Sequence, residues 1–249
     1  GIQMKNLVLG VAFAMLAVSG AYAASPYATR TNAYSNLAQN YNRNYNISVA
    51  KPTNDSWYIG LRADFNLLNW TNKYVAQSDM PKRPDDVANE FSFEPVFGGS
   101  FLVGKNFDSW RLDIEAGYIG YFEDRDNQTE FTLQIPYAML NAYYDFDIGF
   151  YLGAGVGAAM PITTIDAPDF ADGSDRKNYG FAPMIGVMLG WSWNLDDNVA
   201  LDLRYRLAGL MGSSHKFYPW ADTNTKYYME NKIDFILDNS ISLGLRYEF

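Results

Sequence analysis

From residue 57 onward, apolar and polar side chains alternate. Over residues 57–67, Trp57, Ile59, Leu61, Ala63, Phe65 and Leu67 fall on one side, and Tyr58, Gly60, Arg62, Asp64 and Asn66 on the other. Successive side chains of an extended chain point to opposite faces, so this spacing predicts a strand with one apolar face. Residues 110–122 repeat the pattern, with Trp110, Leu112, Ile114, Ala116 and Tyr118 opposing Arg111, Asp113, Glu115 and Gly117. In residues 199–207, Val199, Leu201, Leu203, Tyr205 and Leu207 oppose Asp202, Arg204 and Arg206. The final segment sets Ile241, Leu243, Leu245, Tyr247 and Phe249 against Ser240, Ser242, Gly244, Arg246 and Glu248.

Weaker alternation marks residues 91–103, 129–146, 149–160 and 181–193. In the first of these, Phe93, Phe97, Phe101 and Val103 oppose Glu94, Gly98 and Ser100. Pro136 cannot donate to a ladder, so a bulge or change of phase is expected there. Gly153, Gly155 and Gly157 align on one face; without a following helix and Lys they are no phosphate loop, and they predict close strand approach or room beside bulky neighbours.

Eight strands result, joined alternately by tight and long connections. Residues 105–109, 147–149 and 195–198 read as turns of Asp, Asn, Gly and Ser. Residues 70–90, 123–128, 161–178 and 212–232 read as longer, charged loops. Short turns on one rim and long loops on the other predict an all-β fold: an eight-stranded antiparallel transmembrane β-barrel of up-and-down topology, with short periplasmic turns and long extracellular loops. A lipocalin-like barrel or a sandwich would also alternate, but would turn its apolar face inward. Two features favour the inverted arrangement. Both charge signs recur mid-strand on the polar faces, where they can pair across a narrow lumen. The apolar face is bounded by Trp57, Trp70, Trp110, Tyr118, Tyr121, Trp191, Trp193, Tyr205 and Tyr247, amphipathic rings suited to headgroup level.

The start of the chain reads as an export signal. Lys5 precedes an apolar run over residues 7–18, and small residues follow up to Ala23. That run is too short to cross a bilayer, which takes about 20 residues. Residues 1–23 are thus expected to be a signal peptide, with residues 1–3 an upstream extension. Residues 24–55 form a periplasmic arm rich in Asn and Tyr, either flexible or an amphipathic helix, and residues 56–249 form the barrel. Among 249 residues there is no cysteine, which removes disulfides and thiolate chemistry. A formal net charge of −9 argues against a nucleic-acid partner.

The closing segment, residues 240–249, ends in Tyr247-Glu248-Phe249 and looks like the last strand of bacterial outer-membrane barrels. Residues 141–146, 151–157 and 200–206 resemble the small opacity-protein and porin-like barrel-domain family. That resemblance implies a plugged lumen, surface loops that meet a host or the environment, and Tyr247 and Phe249 as the signal read by the barrel-assembly machinery. It places the protein in the cell outer membrane of a Gram-negative bacterium as a monomer among outer-membrane lipids and lipopolysaccharide. Membrane integrity, adhesion or a surface-antigen role is expected. The alternatives are a narrow porin for small solutes and, third, a lipid A-modifying enzyme.

The barrel interior is where chemistry is expected to concentrate. Eight strands enclose a space just wide enough for side chains to fill. Arg62, Asp64, Glu94, Arg111, Asp113, Glu115, Asp202, Arg204, Arg206, Arg246 and Glu248 are the candidates for a lumen charge network. A Ser–His–acid hydrolase needs a His base, and the one histidine, His215, sits beside Ser213 and Ser214 at the start of the fourth loop, with Asp222 and Glu230 further on. Neighbours in a loop are not a positioned triad, so no catalytic activity is expected. Asp79, Asp85 and Asp86, and Asp166, Asp169, Asp172 and Asp175, offer hard oxygen ligands but lack the EF-hand spacing. They read as solvated loops that could bridge to lipopolysaccharide through divalent cations, and no resident metal or cofactor is expected.

Overall fold

The structure is a computed structural model and describes residues 48–49, 55–76, 87–126, 129–166, 176–217 and 228–249. The chain divides into two units, Gly1–Tyr45 and Asn46–Phe249. The first lies outside the described residues, and with it the signal segment and most of the arm. The second is all-β.

Its strands are β1 (Ser48–Val49), β2 (Trp57–Ala76), β3 (Val87–Phe107), β4 (Trp110–Asp126), β5 (Thr129–Asp145), β6 (Phe150–Ala159), β7 (Ile162–Asp166), β8 (Lys177–Tyr179), β9 (Ala182–Asn194), β10 (Val199–Phe217) and β11 (Met229–Glu248). Neighbours pair in the order β9-β10-β11-β2-β3-β4-β5, and β6 closes the ring by pairing with both β5 and β9. All pairings are antiparallel. β7 continues the ladder of β6 along β5, and β8 continues that of β9 along β7, past Pro161 and Gly180. There the Met160 N–H donates to the Pro136 carbonyl at 2.8 Å and the Gly180 N–H to that of Pro161 at 2.8 Å. Eight staves therefore form the wall, as the alternation predicts. β1 pairs with Trp193 and Asn194 of β9, below the point where β6 begins.

Several boundaries differ from expectation. β2 and β3 extend through Ala76 and from Val87, so much of the expected loop 70–90 is strand. β10 runs to Phe217 and β11 starts at Met229, which shortens the loop 212–232 in the same way. The first turn narrows to Asp108-Ser109, where Asp108 takes φ 58°, a left-handed conformation that Asp tolerates.

Burial settles which face looks where. Even-numbered residues 58–72 of β2 are buried and odd-numbered residues 57–65 exposed. Phe97 is 77% exposed, Leu61 65% and Ile114 64%, whereas Arg204 and Arg206 are 0% exposed. Apolar side chains coat the outside and ionised ones fill the inside, the inverse of a water-soluble barrel. At the short-turn end, outward aromatics contact one another along the rim: Trp110 with Tyr144 at 5.2 Å, Tyr144 with Phe146 at 5.0 Å, Phe150 with Trp191 at 6.3 Å and Tyr247 with Phe249 at 6.3 Å.

Trp70 breaks the expected girdle. It points inward, 3% exposed, because β2 keeps one phase along its length and residue 70 is even-numbered. The expected phase change at Pro136 is also displaced. Every odd residue from Phe131 to Tyr143 in β5 is buried, so β5 holds its phase. The irregularity lies across the ladder in β4, between Tyr118 and Tyr121. Two further bulges fall between Leu68 and Trp70 opposite β3 and between Ile233 and Ile236 in β11. In the first of these, Phe93 takes φ 57° and its N–H donates to the Asn69 side-chain oxygen at 3.0 Å.

Candidate functional site

The interior has two tiers. On the short-turn side it is ionic, and Glu115 of β4 is the hub. Its carboxylate accepts from Arg62 at 2.9 Å, from both terminal nitrogens of Arg204 at 2.7 and 3.1 Å, and from Arg206 at 3.4 Å. Tyr137 and Asn141 of β5 also donate to it, at 2.6 and 3.1 Å. Arg206 continues to Asp238 at 2.9 Å, and Arg204 lies 3.7 Å from Asp64.

Nearer the turns, the Arg111 Nε donates to Asp145 at 2.7 Å while its guanidinium lies over the rings of Tyr143 and Tyr151 at 4.9 and 4.7 Å. Arg246 pairs with Asp202 at 3.3 Å and Glu248 at 3.0 Å and lies over Tyr58, whose hydroxyl donates to Asp113 at 3.2 Å. Asn141 also donates to Asp113 at 2.8 Å, and Ser192 donates to Asp202. Charges removed from water are tolerated when paired or hydrogen-bonded. Most of these groups are both; Asp113 is held by hydrogen bonds from Tyr58 and Asn141, and Asp64 by its ion pair with Arg204.

The glycines make room for this packing. A Cβ on Gly153 would lie 2.4 Å from the Tyr143 ring, and one on Gly155 would lie 2.1 Å from the Asn141 side-chain oxygen. The same holds for Gly190 against Tyr151 at 2.4 Å and Gly104 against Tyr58 at 2.3 Å. Small residues on one strand thus house the ring or amide of the next.

On the long-loop side the interior turns mainly apolar, with Asn72, Thr163 and Asn231 buried there as well. Leu68, Trp70, Val96, Ile119, Phe131, Leu133, Ile135, Met184 and Leu210 are buried in one cluster, with Phe91 and Phe122 packed on it. Trp70 and Phe91 stack at 4.5 Å, and Phe122 meets both edge-on at 4.9 and 5.4 Å. The bulges in β3, β4 and β11 lie close to the transition between the tiers.

Of the residues singled out from the alternation, Arg62, Asp64, Arg111, Asp113, Glu115, Asp202, Arg204, Arg206, Arg246 and Glu248 lie in the ionic tier. Glu94 does not join them: it is half-buried opposite Leu68, beside the bulge and outside the ion pairs described above. Tyr247 and Phe249 face outward, 49% and 64% exposed. Asp145 and Asp238 complete the network without having been singled out. The first falls on the polar face of the expected strand 129–146; the second lies ahead of the alternating segment 240–249. The apolar tier carries no signal short of the bulges themselves.

His215 lies within β10, paired with Asn231, and not at the start of a loop. Its neighbour Ser214 donates to Glu230. Asp222, Asp79, Asp85, Asp86, Asp169, Asp172 and Asp175 lie outside the described residues, and Asp166 is ion-paired with Arg176. Among the described residues no group of three His, Cys, Asp or Glu side chains could hold a metal ion.

No family model matches the chain. An uncharacterised protein of Brucella suis biovar 1 is 26% identical over 259 aligned residues, covering 81% of this chain and 87% of the relative. A Brucella abortus protein matches with the same identity and coverage. Among solved structures, Neisserial surface protein A aligns with TM-score 0.45 and 15% identity over 78% of this chain and 97% of that one. Outer membrane protein OprG of Pseudomonas aeruginosa aligns with TM-score 0.45 and 13% identity over 79% and 97%. Ail, the attachment invasion locus protein of Yersinia pestis, in complex with a heparin analogue, aligns with TM-score 0.43 and 9% identity over 79% and 100%. The barrel architecture described above rests on the hydrogen-bonded ring itself.

Proposed function

We propose that this chain is a monomeric outer-membrane β-barrel of a Gram-negative bacterium, closed to solutes, that stabilises the membrane and presents its long loops to lipopolysaccharide and to a host or environmental surface. The observation that carries the reading is the two-tier interior inside an apolar coat. A barrel coated with Leu, Ile, Val and Phe needs acyl chains around it. Its contents are arranged to seal, since the ionic tier is cross-linked through Glu115 and the tier above is filled mainly by packed apolar side chains, with Asn72, Thr163 and Asn231 buried among them. A narrow porin would need a continuous polar path, and the apolar tier interrupts it. Among the described residues the ionic groups are engaged with one another, which leaves contact with partners to the loops.

The test is reconstitution in planar bilayers beside adhesion of cells carrying loop-shortened protein. The expected result is a bilayer without steady conductance and adhesion that falls when residues 77–86, 167–175 and 218–227 are shortened. Steady large conductance from the intact protein overturns the reading, as does adhesion indifferent to the loops together with an unchanged sensitivity of the membrane to detergent.

A further inference from the structure

The hydrogen-bonded ladder between β3 and β4 is incomplete. Their ladder runs from Phe107 opposite Trp110 to Gly99 opposite Tyr118 and stops, although β3 reaches back to Val87 and β4 runs on to Asp126. Above that point β3 is paired with β2, and β4 with β5. The two backbones touch once more just past the last pair. A Cβ on Gly98 would lie 2.2 Å from the Tyr118 carbonyl oxygen, and one on Gly120 would lie 2.6 Å from the Val96 Cβ. Beyond this crossing, residues 89–95 and 121–125 form two strand edges with no ladder between them. The cause is local, because each strand carries a bulge here, at Phe93 and at residues 119–120.

What lies on either side of the seam defines what could enter it. Inside are Trp70, Phe91 and Phe122, the last two contributed by the unpaired strands themselves and only partly buried. Outside, Phe97 is 77% exposed and Tyr121 46% exposed. Higher on β4, Glu123 and Arg125 are ion-paired at 2.8 Å on the exposed surface. The seam thus grades from apolar to charged toward the loops, as a leaflet grades from acyl chain to headgroup. Unpaired edges at acyl depth are costly, and a strand from another chain is a poor remedy. The side chains flanking the seam are aromatic and apolar on both sides, which suits an acyl chain better than a polar backbone.

We propose that the β3–β4 seam is a lateral portal through which an acyl chain of a lipid in the surrounding leaflet inserts, packing against Trp70, Phe91 and Phe122 above the ionic tier. The Glu115 network closes the floor of this space, so the chain is held there and does not pass through the barrel. The proposal rests on the membrane reading above, and the experiment separates the two.

The chain has six tryptophans. A variant retaining Trp70 alone, with the others changed to Phe, is reconstituted in phosphatidylcholine vesicles whose acyl chains carry bromine, a contact quencher of indole. Two comparison proteins also carry Trp70→Phe. One places the sole tryptophan outside, by Ile114→Trp. The other places it inside the apolar tier behind a fully paired wall, by Met184→Trp, where Met184 of β9 is laddered to Gly157 and Leu210. Trp70 should lose most of its emission, approaching the Ile114→Trp protein, while the Met184→Trp protein keeps its own. Phe122→Ala, which widens the seam, should deepen the loss at Trp70; this arm decides if Met184→Trp does not fold, as read by heat-dependent gel migration. Equal quenching of Trp70 and the Met184→Trp protein, or no response to Phe122→Ala, overturns the portal. Absence of quenching in the Ile114→Trp protein overturns the membrane reading instead.

Discussion

Glu115 is the residue on which the ionic tier turns, and Glu115→Gln is the sharpest perturbation of it. The substitution keeps the shape of the side chain and removes its charge. Arg62 and Arg204 then lose their short carboxylate contacts at 2.9 and 2.7 Å. Arg204 is left with Asp64 at 3.7 Å, while Arg206 keeps Asp238 at 2.9 Å. A charge-assisted hydrogen bond contributes about 1.5–3 kcal/mol, but several bonds sharing one acceptor do not add. Removing one partner of a buried ion pair costs about 3–5 kcal/mol, and that is the loss expected here. With a urea dependence of about 1–3 kcal/mol per molar, the unfolding midpoint should fall by about 2 M. The assay is urea titration of vesicle-reconstituted protein, followed by tryptophan emission and by gel migration of unheated samples. The double variant Glu115→Leu with Arg204→Leu should be more stable than Glu115→Leu alone, since a buried pair replaced by packed apolar groups is often tolerated. A Glu115→Gln midpoint within about 0.3 M of the parent, or a double variant no better than the single, would refute the hub.

Arg111→Ala should destabilise the barrel by about 3–5 kcal/mol by stranding Asp145 and emptying the slot between Tyr143 and Tyr151, with Arg111→Lys recovering only part because Lys lacks the planar face; urea midpoints check both. Gly157→Val should give no folded barrel, because the added Cβ would lie 2.1 Å from the Ala138 carbonyl oxygen; loss of the heat-dependent gel shift is the measure. Phe249→Ala should lower the amount of protein recovered in the outer-membrane fraction while leaving the stability of refolded protein nearly unchanged, since this ring is 64% exposed and stacks on the neighbouring Tyr247 ring at the rim. An equal fall in both measurements would assign Phe249 a packing role instead of an assembly role.

Period-two patterning made the architecture legible because in a barrel one face is uniformly apolar and the other is not. It also placed most of the ionic tier, since Arg111, Asp113 and Glu115 on one strand, or Asp202, Arg204 and Arg206 on another, can share a face only if that face is interior. What it missed follows from the bulges. One extra residue flips every later side chain, so Phe91 and Phe122 came out on the outer apolar face although they line the inner apolar tier. Trp70 misled for a different reason. Its position near a predicted strand end suggested a girdle, whereas the strand runs on to Ala76 and the ring lies inside. Pro136 signalled a real irregularity but on the wrong strand. A proline removes one ladder bond, and the neighbouring strand absorbs the mismatch.

The contacts made by Glu115 reach far along the chain: 53 residues to Arg62, 89 to Arg204 and 91 to Arg206. No segment of the polypeptide can assemble that cluster by itself; Arg206 has Asp238 across its own hairpin, but Arg204 lacks its carboxylate until the two ends of the sheet have met. Closure is therefore what makes the interior electrically tolerable. A partly zipped intermediate would carry naked charge into a place that rejects it, so insertion should proceed as one concerted event and not as a strand-by-strand accumulation.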